Sequence, residues 1–247
     1  MKQIEAILLA GGRGTRLAPL TDTLPKPLVP ILGRPMMDYV LEHLKGAGIT
    51  RVAISVAYLG DLIEQHYGDG SALGMQISYL REPEMMGTGG WMRLVDRENL
   101  ADRFIVANAD NLFWVDVNAL LRRHDESGAV ASIAGIAIPS ETAVNYELLA
   151  TNEEKTRLHD YVDRSLAEPL RAASPQVFVS SGWYVMTPEV IDISPDVLPL
   201  SHETHVWPAL AKSGKPMGFY HGTEPWFDSG THERLARVES FLRDNPR

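Results

Sequence analysis

Apolar positions fall in short runs separated by stretches with helical spacing. Gln3 to Ala10 carries Ile4, Ala6, Ile7, Leu8 and Leu9, which predicts a buried β-strand. Pro35 to Ala47 reads as a helix, with proline at its start and Gly48 at its end, and a strand follows at Arg51 to Ala57. A short helix near Asp61 to His66 and a strand at Gln76 to Leu80 come next. Then follow a helix from about Gly89 to Val95, a strand Arg103 to Asn108, a helix Val117 to His124 and a strand Val130 to Ile138. Thr231 to Leu242 repeats apolar residues at helical spacing through Leu235, Val238 and Leu242. Strand, helix, strand in this cadence predicts an α/β fold of Rossmann-like type, a mostly parallel twisted sheet with helices on both faces. Ligands of such sheets sit outside the carboxyl ends of the strands.

The first strand runs into Gly11-Gly12-Arg13-Gly14. Backbone without Cβ can wrap closely round a ligand, and successive N–H groups in such a turn form an anion-binding concavity. Between Ala6 and Pro35 stand four cations, Arg13, Arg16, Lys26 and Arg34, against the single acid Asp22. The whole chain carries a net charge of −9, so this island departs from its background and suits a polyphosphate. Other glycine motifs fit less well. A dinucleotide fingerprint needs a third glycine where Leu17 stands, and the strand at Arg51 to Ala57 does not end in an acid. No Gly-Lys-Ser or Gly-Lys-Thr occurs, which excludes a P-loop.

At 247 residues and 45% hydrophobic, the chain can bury one large core. We expect a single domain over 1–247, with parts at about 1–125 and 126–230 and a closing helix at 231–243. The absence of cysteine excludes disulfides and thiolate metal sites and suits a reducing compartment. The apolar stretch Ala6 to Ala10 is too short for a signal or spanning segment, so the expectation is a cytoplasmic protein with no membrane partner. An acidic chain without a basic stripe is a poor nucleic-acid binder. His202-Glu203-Thr204-His205 lacks the spacing of a zinc-binding His-Glu-x-x-His.

Two carboxylates stand at strand ends. Asp110 follows Phe104 to Ala109, and Asp228 lies in Trp226-Phe227-Asp228-Ser229-Gly230-Thr231. Taken singly, each reads first as a turn or N-cap residue. Together they could hold Mg²⁺, which favours a few protein carboxylates plus phosphate oxygens.

The chain resembles the sugar-1-phosphate nucleotidyltransferases, which make NDP-sugars. The likeness is carried by GGRGTRLAPLT…LPKPLVP (11–30), EPEMMGTGG (82–90), VANADNLF (106–113), SSGWYVMTPEV (180–190) and WFDSGT (226–231). The resemblance implies transfer of a nucleotidyl group from an NTP to a sugar or cyclitol 1-phosphate, releasing pyrophosphate. It implies Arg13 and Lys26 as catalytic residues, and Leu9, Ala10, Gly11, Gly12, Gly14, Thr15, Arg16, Glu82, Gly87 and Thr88 around the nucleotide. Asn145, Tyr146, Asp163, Arg164, Ser180, Ser181 and Gly182 would face the sugar phosphate. Asp110 and Asp228 would carry Mg²⁺. Homo-oligomers are compatible with the chain and are not read from it.

Departures from the family pattern bear on the acceptor. Relatives commonly carry Tyr-Gly-Val-Val, Glu-Lys-Pro and Asn-Ala-Gly-Ile-Tyr. Here stand Tyr146-Glu147-Leu148-Leu149, Asp163-Arg164-Ser165 and Ser180-Ser181-Gly182-Trp183-Tyr184, and Ala109 replaces the usual glycine before the metal aspartate. Glu147 and Ser180 change the donors offered to sugar hydroxyls, which points away from ordinary glucose 1-phosphate towards a heptose, an amino sugar or a cyclitol. Gly87-Thr88-Gly89-Gly90 is most similar to the heptose-1-phosphate guanylyltransferase-like branch and makes GTP the first expectation. Uridylyl, thymidylyl and cytidylyl enzymes share the frame. With the chain ending soon after Leu242, we expect one activity and no appended acetyl-transfer domain. A catalytically silent nucleotide-binding regulator is the alternative of another class. Joint retention of Arg13, Lys26, Asp110 and Asp228 argues against it. A molybdopterin-type enzyme shares the glycine loop but is a poorer match to Leu24-Pro25-Lys26-Pro27.

Overall fold

A computed structural model describes residues 3–245. β1 (Ile4–Leu9) leads through the glycine loop to a two-residue hairpin, β2 (Pro30–Ile31) and β3 (Arg34–Pro35). Then come α1 (Met36–Gly46), β4 (Arg51–Val56), α2 (Gly60–Tyr67) and β5 (Gln76–Arg81). The middle of the chain forms β6 (Leu100–Asn108), β7 (Asn111–Phe113), α3 (Val117–Ser127) and β8 (Ala131–Pro139). The last hundred residues form β9 (Leu148–Thr151), β10 (Leu158–Val162), α4 (Glu168–Ala173), β11 (Gln176–Met186), α5 (Glu189–Ile193), α6 (Trp207–Lys212), β12 (Met217–Gly222), β13 (Trp226–Asp228) and α7 (His232–Asp244).

Local chemistry sets the helix limits. In α1, Met36, Met37, Val40, Leu41 and Leu44 recur at helical spacing and are buried, and Gly48 turns the chain away at φ +86°. Asp116 caps α3 by accepting from Ala119 N at 2.8 Å, and Thr231 caps α7 by accepting from Arg234 N at 3.3 Å. The helix expected at 89–95 shrinks to a single 3₁₀ turn, Gly90–Arg93. Two adjacent glycines weaken helix propagation there, and Gly90 has no room for a side chain, because a Cβ would lie 2.3 Å from Met86 Cβ.

Among the described residues nine strands join in one sheet, whose main path runs β10-β9-β11-β6-β1-β4-β5, with β8 on β11 and β12 on β8. Seven of the nine point the same way, as expected of a mostly parallel sheet; β11 and β10 run against them. Side chains alternate across the strands. Ala6 and Leu8 of β1, Ile54 of β4 and Ile105 of β6 pack beneath α1, α3 and α7, while Ile7, Ala53, Phe104 and Val106 pack on the other face with Trp91, Trp207 and Leu210. Helices therefore cover both faces. β1, β4 and β6 end level, with Leu9 opposite both Ser55 and Asn108, so the glycine loop and Asp110 leave the sheet at the same edge. Among the described residues no helix is long and apolar enough to cross a membrane.

Candidate active site

The loop after β1 is shaped by two glycines with different jobs. Gly14 is left-handed at φ +65°, and a Cβ on it would lie 3.1 Å from both Lys26 Cβ and Thr21 Cγ2. Its carbonyl accepts from Leu17 N and from Thr21 Oγ1, each at 2.9 Å, which folds the loop back over Lys26. Gly12 has open space where a side chain would be, so its backbone faces the cleft bare. Pro25 and Pro27 flank Lys26 in a short 3₁₀ turn that buries the lysine stem.

Two adjoining cavities open at this edge and share Leu9, Gly12 and Asp110. The first, about 230 Å³, is further lined by Ala10, Gly14, Thr15, Arg16, Lys26, Pro27 and Gly230. The second, about 280 Å³, is completed by Gly11, Glu82, Met85, Gly87, Thr88 and Asn108. All ten residues expected round the nucleotide thus lie on one wall or the other. The first wall is cationic and backbone-rich, suited to phosphates, and the second is wider and more apolar, suited to a planar base. Glu82 is occupied by the protein itself: its carboxylate accepts from Ser55 Oγ at 2.7 Å and Met86 N at 2.8 Å. Gly87, at φ +87°, presses on Leu200, whose carbonyl would be 2.4 Å from an added Cβ. Thr88 Oγ1 donates to Glu203 at 2.9 Å and accepts from His202 N at 2.8 Å. The loop 82–88 is therefore clamped to Leu200–Glu203, a support that no local pattern announces. Burial holds the fully enclosed His202 ring neutral, with its pKa lowered to about 4.

Arg13 is not on either wall. Its guanidinium lies over the Tyr58 ring, 5.4 Å from the centroid, and the residue is exposed. Lys26 is where the cleft needs it: Nζ donates to Asp110 Oδ2 at 2.5 Å, and the side chain is 9% exposed. Asp228 pairs with Asn111 across the β13–β7 ladder, which sets it beside Asp110. Its Oδ1 accepts from Gly230 N at 2.8 Å, and its Oδ2 accepts from Tyr146 OH at 3.3 Å and from Arg234 Nη1. Asp110 Oδ1 takes no protein donor among the described residues. Two carboxylates at one cleft edge, one with a free oxygen, fit a hard cation that completes its shell with phosphate oxygens.

The residues expected round the acceptor divide. Tyr146 reaches Asp228, and burial beside that carboxylate raises its phenol pKa. Arg164 is held by Glu147, Nε to Oε1 at 3.1 Å. Ser181 turns into the core, where its hydroxyl donates to Ala134 O at 2.6 Å, while its carbonyl accepts from Asn111 Nδ2 and Trp226 Nε1. It is scaffold. Ser181 and Gly182 form the bulge between Ser180 and Trp183 where β11 passes from β9 to β6. Gly182 sits there at φ +79°, with Asn108 Nδ2 2.5 Å and Asn111 Nδ2 2.7 Å from where a Cβ would be. Ser180 Oγ donates to Tyr184 OH at 3.1 Å and accepts from Gly182 N. Asp163 and Asn145 are exposed; Asp163 accepts from Ser165 N and Oγ, a turn that holds its carboxyl below the usual range. None of these residues lines the two cavities.

Sequence reasoning passed over Asn108, Asn111 and Arg234. The asparagines carried a signal, two polar residues flanking Asp110 at the mouth of an apolar strand. Arg234 carried none, since its partner lies six residues away beyond the cap of α7.

Comparisons with known proteins agree with this geometry. The model of the family described as nucleotidyl transferase matches residues 5–245. A UTP–glucose-1-phosphate uridylyltransferase from Synechocystis is 30% identical over 238 residues, covering 92% of this chain and 60% of the relative. A mannose-1-phosphate guanylyltransferase from Mycobacterium tuberculosis is 34% identical over 243 residues, covering 97% of this chain and 65% of the relative. The chain thus spans somewhat less than two thirds of these curated relatives. The crystal structure of HddC from Yersinia pseudotuberculosis complexed with GMP-PN superposes with a TM-score of 0.78, covering 97% of this chain and all of that one, at 23% identity, a likeness of fold. With a glycine loop and a buried lysine bonded to Asp110 at one sheet edge, and a family match over almost its whole length, the chain belongs to the nucleotidyl transferase family.

Proposed function

We propose that the chain transfers a guanylyl group from GTP to a sugar or cyclitol 1-phosphate, giving an NDP-sugar and pyrophosphate. The observation that carries this reading is the pair of cavities joined at Leu9, Gly12 and Asp110, one cationic and one wide enough for a base. GTP is favoured by the 34% likeness to a guanylyltransferase, with UTP, dTTP and CTP as the competing donors. On this reading residues 1–125 bind the nucleotide, 126–230 bind the acceptor, and the helix at 231–243 closes a single domain.

An acceptor phosphate monoester is already an anion near neutral pH, so in-line attack on the α-phosphorus needs no general base and no covalent enzyme intermediate. The obstacle is repulsion: two unit charges ~4 Å apart at an effective dielectric of about 20 cost about 4 kcal/mol. Lys26 and Arg16 meet that charge in the first cavity, and bare loop amides position the triphosphate. Asp110 and Asp228 would hold Mg²⁺, which when bound offsets charge on the bridging and leaving oxygens. Arg13 then reaches the triphosphate only by leaving Tyr58. Glu147 and Ser180, in place of smaller or amide residues, support an acceptor other than glucose 1-phosphate.

The test is pyrophosphate release with Mg²⁺, crossing GTP, UTP, dTTP, CTP and ATP with glucose, mannose, heptose, amino-sugar and cyclitol 1-phosphates. Release restricted to GTP and a non-glucose acceptor is expected. Faster turnover of glucose 1-phosphate than of every other acceptor overturns the acceptor assignment. Nucleotide binding without turnover on any acceptor favours an acceptor outside the panel or a regulatory subunit.

A further inference from the structure

The two aspartates of the cleft differ in what holds them. Lys26 takes one oxygen of Asp110 and shares the cavity wall with it. Asp228 is engaged at both oxygens, by Gly230 N on Oδ1 and by Tyr146 and Arg234 on Oδ2. Arg234 is anchored through its own N–H to Thr231 Oγ1, so its side chain can leave without moving α7, and at 32% exposure it has water to move into. A second guanidinium lies close by: the point where a Gly230 Cβ would stand is 2.8 Å from both Arg16 Nη2 and Asp228 Oδ1.

We propose that Arg234 is a resident counter-cation that competes with the divalent ion for Asp228 and so makes metal binding depend on nucleotide. This rests on the nucleotidyl-transfer reading for the identity of the ion and goes beyond it in naming the competitor. A guanidinium hydrogen-bonded to Oδ2 opposes a dication at the same carboxylate by plain Coulomb repulsion, and Arg16 adds to it. A triphosphate supplies the anionic charge that draws Arg16 to itself and lets the ion displace Arg234. Arg234 is a positioning residue, because it acts through Asp228.

The experiment is Mn²⁺ titration followed by electron paramagnetic resonance, with and without the α,β-methylene analogue of GTP, on wild type, Arg234→Met and Arg234→Lys. Without nucleotide, Arg234→Met is expected to bind Mn²⁺ about tenfold more tightly than wild type, the order expected when one unit charge a few ångström away is removed. Arg234→Lys keeps the charge and stays near wild type. Equal or weaker binding by Arg234→Met overturns the proposal and makes Arg234 only an orienting group. Should that variant lose its cooperative melt, Arg234→Gln, which keeps a donor without the charge, is judged by the same criterion. If wild type binds no Mn²⁺ even with the analogue, the metal assignment fails along with this proposal. Normal Mn²⁺ binding with unchanged affinity in the variant overturns the role of Arg234 alone.

Discussion

The part proposed to bind nucleotide and the part proposed to bind acceptor are built on opposite principles. The first is a loop closed on itself: Gly14, Thr21 and Lys26 lie within one short segment, and the parallel strands β1, β4 and β6 present it at their ends. The second has no such segment. Tyr146 and Glu147, Arg164, and Ser180 and Gly182 come from three separated stretches of chain, and each is tied to protein groups: Tyr146 to Asp228, Glu147 to Arg164, and Ser180 to Tyr184 and Gly182. Phosphate recognition is a backbone property that a contiguous motif can encode, whereas acceptor recognition depends on side chains that only packing brings together.

The comparison is broken most directly by Lys26→Ala. If the first half supplies the charge that permits the chemistry, steady-state pyrophosphate release should fall about 10²-fold or more, as when one preorganised electrostatic donor is lost. Near-normal turnover would remove Lys26 from the chemistry. Gly182→Ala tests the second half. A Cβ 2.5 Å from Asn108 Nδ2 at φ +79° should destabilise the fold by about 2–4 kcal/mol in urea denaturation and raise the acceptor KM more than that of the NTP. A stability change near zero would show that the bulge can relax.

Acid sharpens the contrast through His202 and His124, both buried and both lowered from 6.5 to about 4. Folded pKa values below the unfolded ones mean that the stabilisation is complete above about pH 6.5. It falls as pH drops towards 4, by at most about 1.4 kcal/mol per pH unit for each ring. Protonating the His202 ring removes the acceptor for Trp91 Nε1 and disturbs the residue whose backbone N–H holds Thr88, so NTP affinity should weaken over the same window, while His124→Gln should remove part of the stability loss and leave NTP affinity alone. Parallel pH profiles in wild type and His124→Gln would contradict this. The smallest effect belongs to Glu147→Gln. Breaking its partly exposed pair with Arg164 should change stability by less than about 1 kcal/mol. The freed guanidinium should lower the acceptor KM about two- to threefold while the NTP KM stays put. A rise in acceptor KM would mean that Glu147 itself binds the acceptor.

Strand order apart, much of the fold was legible. The expected strands at 3–10, 51–57 and 76–80 and the helix at 35–47 match the structure within a residue or two, because burial on both faces imposes long apolar runs and helical spacing. The helix at 89–95 failed because Gly89 and Gly90 are there for close packing against Leu200 and Met86. The ten residues expected round the nucleotide all line the two cavities, because they sit in short motifs that follow strand ends. For Ser181 and Asp163, expected to face the acceptor, their sequence positions do not reveal that one hydroxyl turns into the core and the other carboxylate closes its own turn.

By itself, then, the sequence determined the alternation of strands and helices, the glycine loop and its cations, and the family. These depend on residues within one or two turns of each other. Tertiary structure alone decided that Arg13 rests on Tyr58, that Glu147 ties up Arg164, and that Arg234 occupies Asp228. Those pairings depend on which long side chains meet after the sheet has closed, and a charged side chain near several opposite charges takes the partner that geometry offers.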